Sequence, residues 1–327
     1  MLTLAMEYFG IVKEFRQAGY YETEQQKRLF KDIKNALGSG RLIVLSGIVG
    51  SGKTATLRHL FEMLEQEGKV TVSKSWSVDK KRTNLSTLIF ALFYDLSKDK
   101  KITIPSQPEI RERELSLLLR KAKKPVALFV DEAHDLFYST LTGLKRLIEL
   151  AEDSGSLLSL VLAGHPKLKN NLRRPIMEEI GSRATIFTLD GISNHQKEYI
   201  QWLLTQCVAS GTDINNILSP EALDILSSRL KTPLQIQQHL SVAIEDAYKL
   251  GDKSITGALI EDILSKHIDD LEPRLKRHGY DVRDLAEQFN AKPAEIKSMF
   301  RGQLDPARTK ELHDQMLSAG LPLLNVS

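Results

Sequence analysis

Eight residues, Gly47-Ile-Val-Gly-Ser-Gly-Lys-Thr54, constrain this chain more than any others. They follow a short apolar run at 41–46 and precede a helical pattern at 54–66. The spacing G-x-x-x-x-G-K-[ST] between a strand and a helix is that of a phosphate loop. Its glycines let the backbone bend until N–H groups point inward, and the helix N-terminus adds the positive end of a dipole. Gly47, Val49, Gly50, Ser51 and Gly52, with Lys53, Thr54 and Ala55, form the expected ATP cradle. Lys53 is placed to reach the β- and γ-phosphates, and the Thr54 hydroxyl to ligate Mg²⁺.

The pattern around this loop predicts an α/β fold. Apolar runs at 41–46, 125–130, 157–162 and 185–189 read as strands, and 70–78 is β-prone. Helical patterns at 21–37, 54–66, 84–96, 109–121 and 141–151 alternate with them. That alternation predicts a parallel sheet flanked by helices. After about residue 193 only helical periodicity remains. The 327 residues exceed what one small core organises. Three segments are expected: an α/β nucleotide-binding domain at 1–193, an all-α lid at 194–270 and a small helical C-terminal segment at 271–327.

The second informative run is Asp131-Glu132-Ala-His134, directly after the apolar segment 126–130. Two acids at the end of a buried strand suit Mg²⁺-dependent hydrolysis. Asp131 would hold the metal with Thr54, and Glu132 would polarise the attacking water. The letters Asp-Glu-Ala-His also suggest a helicase, but that motor type needs two tandem domains and this chain has one phosphate loop. His134 is then a packing or coupling residue.

Composition excludes several classes. An apolar fraction of 42% and a charged fraction of 27% exclude wholesale disorder. The single cysteine, Cys207, excludes an intrachain disulfide framework and a Cys-rich zinc site. No apolar run approaches the ~18 residues of a membrane span, and Glu7 comes too early for a signal peptide. A soluble, cytoplasmic protein without membrane contact is expected. A net charge of +3 is too small to imply nucleic acid by itself, so local basic clusters must carry that case.

The order GIVGSGKT, LFVDEAH, LVLAGHPKL, GSR, TPLQIQQHL resembles AAA+ ATPases of the ExeA-like type. Among these it is similar to the regulatory ATPases of DDE transposons, the group that includes the phage Mu B protein and its TnsC- and TniB-type relatives. The likeness runs from about residue 6 to about residue 267. It implies a P-loop AAA+ sheet, ATP and Mg²⁺ as cofactors, and an ATP-dependent ring or filament of identical subunits. It further implies double-stranded DNA, a DDE transposase and a possible target-selection protein as partners. His165 takes the sensor position that reads the γ-phosphate, and Arg183 matches the finger that enters a neighbouring subunit's site, with Arg173 and Arg174 as rivals. In one place the chain departs from the pattern: Leu234 and Gln235 follow Pro233 where many lids carry an arginine. Slow or partner-stimulated hydrolysis is therefore expected. The implied activity is ATP-dependent regulation of transposition, in which the assembly on target DNA recruits or activates the transposase. The alternatives are an ATPase module of a secretion or envelope system, and a nucleotide switch acting on a protein partner.

For DNA, the run Lys80, Lys81, Arg82 and Asn84 follows the β-prone segment and opens a helix, a combination suited to phosphate contacts. Lys145 and Lys167 are secondary candidates. The pattern 282–289, a short turn and 293–301 have helix–turn–helix character, equally compatible with DNA and with transposase docking.

Overall fold

The computed structural model of the chain describes residues 2–75, 84–97, 104–264 and 270–323. It opens with α1 (Leu2–Tyr8), α2 (Glu24–Leu37), β1 (Leu42–Ser46), α3 (Lys53–Glu67) and β2 (Thr71–Ser75). Next come α4 (Leu85–Leu96), α5 (Pro108–Lys121), β3 (Val126–Val130), α6 (Tyr138–Asp153) and β4 (Leu158–Gly164). Helices α7 (Pro166–Leu172) and α8 (Glu178–Gly181) lead to β5 (Ala184–Thr188). The rest is helical: α9 (Gln196–Cys207), α10 (Pro220–Arg229), α11 (Pro233–Leu250) and α12 (Gly257–Ile263), then α13 (Leu271–Arg277), α14 (Val282–Gln288), α15 (Pro293–Phe300) and α16 (Pro306–Ser318).

These elements form two compact units. The first comprises Glu24–Gly47 and Lys53–Leu189. It holds a five-stranded sheet in the order β2-β3-β4-β1-β5, with every pairing parallel. Every residue of β1, β3 and β4 is buried, as inner strands of a sheet covered on both faces must be. The edge strands β2 and β5 are only partly buried, which is why their sequences read less clearly. Because the strands run parallel, the loops after β1, β3 and β4 leave from one end of three adjacent strands. Ligands of open parallel sheets bind beyond those carboxyl ends.

The second unit comprises Met1–Thr23, Ile48–Gly52 and Asp190–Ser327. The sequence placed residues 1–193 in the first domain. The packing instead groups the N-terminal segment with the helical part: Ala5, Phe9, Ile11 and Phe15 share a core with Leu203, Ile236, Leu240 and Ile244. Ile11 bridges to Val208, and the Val12 N–H donates to the Cys207 carbonyl at 2.8 Å. Cys207 is buried. Helices α13–α16 close over a smaller core of their own, built on Leu275, Tyr280, Leu285, Ile296 and Leu312. Asp281 caps α14, and the turn to α15 contains Asn290 in the left-handed region. No helix among the described residues is long and apolar enough to cross a membrane.

Candidate nucleotide site

In the first unit the phosphate-loop lysine and the two acids follow the carboxyl ends of β1 and β3, the two strands that flank β4. Lys53, at the start of α3, is buried and its Nζ donates to the Gly47 carbonyl at 2.9 Å. The Thr54 hydroxyl donates to Asp131 Oδ2 at 2.7 Å. Asp131 Oδ1 accepts the Glu132 N–H at 2.8 Å, so both carboxylate oxygens are held. A hydroxyl and a carboxylate so close together form a hard, all-oxygen donor pair, which fits Mg²⁺. Ala55 is exposed on the first turn of α3.

The loop apex belongs to the second unit. Gly50 and Gly52 have φ of +80° and +94°, where any other residue is strained. Ser51 Oγ is buried and has no hydrogen-bond partner among the described residues, an unmet polar atom inside a loop built for phosphate oxygens. Two further contacts of the apex were not legible in the sequence. The Val49 N–H donates to the Arg277 carbonyl at 2.7 Å, and the Leu234 N–H approaches the Gly50 carbonyl at 3.4 Å. The TPLQ run has a local explanation. Thr232 caps α11, Pro233 takes the first turn, and Gln235 closes a capping box with the Thr232 backbone. Gln235 is thus committed to starting its helix, and Leu234, the position at which the resemblance expects an arginine, is half exposed.

After β3 the chain turns sharply. Glu132 adopts φ 53° and ψ 35°, a left-handed conformation costly for a residue with a side chain and commonest at functional sites. The turn brings His134 back beside Glu132, with Nδ1 3.5 Å from Glu132 Oε2. His165, leaving the end of β4, places Nε2 4.0 Å from the same oxygen. The two imidazoles stack with centroids 3.7 Å apart and planes tilted by 31°. Gly164 permits this approach, since a Cβ there would lie 3.1 Å from the His134 backbone nitrogen and 2.9 Å from Leu168 Cδ2. Burial holds His134 below the ordinary histidine range; Asp135 and Glu132 oppose the shift, while Lys53 and Lys167 reinforce it. The neutral ring is therefore the dominant form near pH 7. The sequence anticipated Glu132 and His165 but not their association with His134, which depends on β3 and β4 being neighbours.

The remaining candidates are dispersed. Arg183 is exposed at the start of β5, its guanidinium 3.5 Å from Glu149. Arg174 donates to the Tyr138 hydroxyl at 2.8 Å, and Arg173 is exposed. Lys80, Lys81 and Arg82 lie outside the described residues. Asn84 caps α4 by accepting the Thr87 N–H at 3.0 Å. Lys145 pairs with Glu179 at 2.8 Å and Glu149 at 3.6 Å, and Lys167 lies in the first turn of α7.

Residues 31–172 match the AAA domain family. The chain is similar to General secretion pathway protein A of Aeromonas hydrophila, with 32% identity over 148 residues, 45% of this chain and 26% of that protein. It therefore spans about a quarter of that relative's length. Among solved structures it is similar to the Aeropyrum pernix ORC2 protein in ADPNP–ADP complexes, at 16% identity and a TM-score of 0.57 over 95% of this chain and 91% of that one. It is also similar to Drosophila ORC bound to DNA, at 15% identity and a TM-score of 0.55 over 97% and 83% of the two chains. At such identities the likeness establishes the fold, and it bears out the P-loop AAA+ sheet flanked by helices expected from the sequence.

Proposed function

We propose that this chain, an AAA+ ATPase, is a DNA-binding regulator of transposition whose ATP-bound subunits assemble on double-stranded DNA and recruit or activate a DDE transposase. One observation carries the nucleotide part. The Thr54 hydroxyl, the Asp131 carboxylate and Glu132 converge beyond the carboxyl ends of β1 and β3, beside a buried Lys53. Lys53 neutralises the β- and γ-phosphates of bound ATP. Thr54 and Asp131 would hold Mg²⁺, which would neutralise phosphate charge when bound. Glu132 orients and polarises the attacking water, and His165 reads the γ-phosphate from the next strand end. Arg183, exposed and in long contact with Glu149, is the residue assigned to a neighbouring subunit's site. Leu234 stands where the resemblance expects a lid arginine and Gln235 is engaged in a helix cap, which supports slow turnover that a partner accelerates.

The DNA and transposition parts are supported by the motif run from the phosphate loop to TPLQIQQHL, and by the basic run Lys80–Arg82. Similarity to an ORC assembly bound to DNA agrees with them. The partial match to General secretion pathway protein A favours a second reading, an ATPase module of a secretion system. Fluorescence anisotropy on unrelated duplexes with ATP, ADP or no nucleotide separates the two. The transposition reading requires DNA binding that depends on ATP. Nucleotide-dependent turnover with no DNA affinity in any state selects the secretion reading.

A further inference from the structure

Among the described residues, Glu132, His134 and His165 are the one set of three metal-ligating side chains gathered at a point, each offering one donor atom within 4.8 Å of the others. We infer that they form a site for a transition-metal ion of the Zn²⁺ class, distinct from the Mg²⁺ position, whose occupancy arrests ATP hydrolysis. The inference deepens the proposed function, since it rests on Glu132 acting on the attacking water.

The donors are the first ground. Thr54 and Asp131 offer only oxygen, which suits Mg²⁺. Two imidazole nitrogens and one carboxylate oxygen instead suit Zn²⁺ and its neighbours, which bind such sets far more tightly than Mg²⁺ does. With bonds of about 2.0–2.1 Å, donors of a tetrahedral zinc site lie about 3.3–3.4 Å apart. Glu132 Oε2 already lies 3.5 Å from His134 Nδ1 and 4.0 Å from His165 Nε2. Both rings thus face one oxygen at nearly the edge length of a zinc tetrahedron.

The second ground is His134 itself. Its side chain is only 9% exposed, yet among the described residues Nδ1 finds no hydrogen-bond partner. A buried imidazole nitrogen pointing at a carboxylate without bonding to it is an unmet ligand atom. The third is the backbone. The left-handed turn at Glu132 brings residues 132 and 134 to the same side, facing the end of β4. Metal binding would require the stacked rings to fan apart from their 31° tilt, so that each nitrogen aims at a common centre. Three protein ligands leave a fourth position for solvent.

The consequence follows from sharing Glu132. A carboxylate bound to the ion cannot accept a proton from water, whereas Lys53 and the loop remain able to hold ATP. An occupied site would keep the subunit loaded with ATP.

The test uses the untagged full chain without nucleotide, titrated with zinc sulfate against a chromophoric chelator. The expected result is one zinc per chain, with affinity lowered about tenfold or more in His134→Phe and His134→Ala. The phenylalanine keeps a ring in the stack but has no lone pair, and it guards against loss of folding in the alanine variant. Wild-type turnover in excess Mg²⁺ should fall on adding zinc and recover with EDTA, while His134→Phe turnover should resist zinc. Absence of stoichiometric binding, or wild-type affinity in His134→Phe, would overturn the site. Binding that His134→Phe abolishes, but that leaves wild-type turnover unchanged, upholds the site and overturns the role given to Glu132.

Discussion

Replacing Gly50 by alanine should damage the protein more than replacing Gly52, and the structure sets the difference. Both glycines occupy the left-handed region, at φ +80° and +94°. For a residue with a Cβ this conformation costs about 1–2 kcal/mol at either position. A Cβ at Gly52 meets nothing within 4 Å among the described residues, so that strain sets its cost. A Cβ at Gly50 would lie 2.7 Å from Leu234 Cβ and 2.9 Å from Thr232 Oγ1. Neither atom is the far end of a flexible side chain, and Thr232 is held by its cap on α11. Relieving the overlap requires backbone movement, a further ~1–3 kcal/mol typical of overpacking. Gly50→Ala is therefore expected to cost about 2–5 kcal/mol and Gly52→Ala about 1–2 kcal/mol. Urea unfolding followed by circular dichroism measures both. Equal destabilisation by the two variants would refute the close packing of the loop apex against the start of α11.

Arg183→Ala should retain ATP affinity but lose stimulated hydrolysis, and wild-type turnover per subunit should fall on dilution; full turnover by a dilute monomer contradicts the finger. Lys80→Ala combined with Arg82→Ala should abolish DNA binding, spare nucleotide binding and flatten the salt dependence, because phosphate contacts release counterions; anisotropy across a salt series reads all three. Tyr199, whose hydroxyl accepts from Gln237 Nε2 at 2.8 Å, has its phenol pushed by burial up to about 12. The folded chain keeps that proton after the unfolded chain loses it near pH 10, so the contribution is full below about pH 10 and disappears as pH rises towards 12. Thermal unfolding should accordingly show a steeper alkaline loss for wild type than for Tyr199→Phe, approaching about 3 kcal/mol.

Local features of this chain were legible and long-range ones were not. β1, β3 and β4 announced themselves because burial on both faces demands unbroken apolar runs. Gly47 to Thr54 and Asp131-Glu132 were legible because each is a contiguous run beside a strand. α1 was not foreseen. Ala5 is its single buried residue, and its partner α11 lies more than two hundred positions away. The same distance hid the assignment of Phe9, Ile11 and Phe15 to the helical core. The stacking of His134 on His165 required knowing that β3 and β4 are adjacent, although Asp-Glu-Ala-His contained half of the pair. Leu234 and Gln235 stood out as a departure from a motif, and the capping box supplies the physical role that Gln235 fills.

ATP-gated assembly on DNA is the central claim, and comparing Lys53→Ala with Glu132→Gln on one labelled duplex tests it most directly. In the proposed mechanism Lys53 contacts phosphates in the bound state and Glu132 acts on the water, so removing them should have opposite effects on DNA. Anisotropy after ATP addition should show no binding by Lys53→Ala. Glu132→Gln should bind at least as tightly as wild type and release more slowly as ATP is consumed. DNA binding by Lys53→Ala equal to wild type, or release from Glu132→Gln at the wild-type rate, would contradict the account.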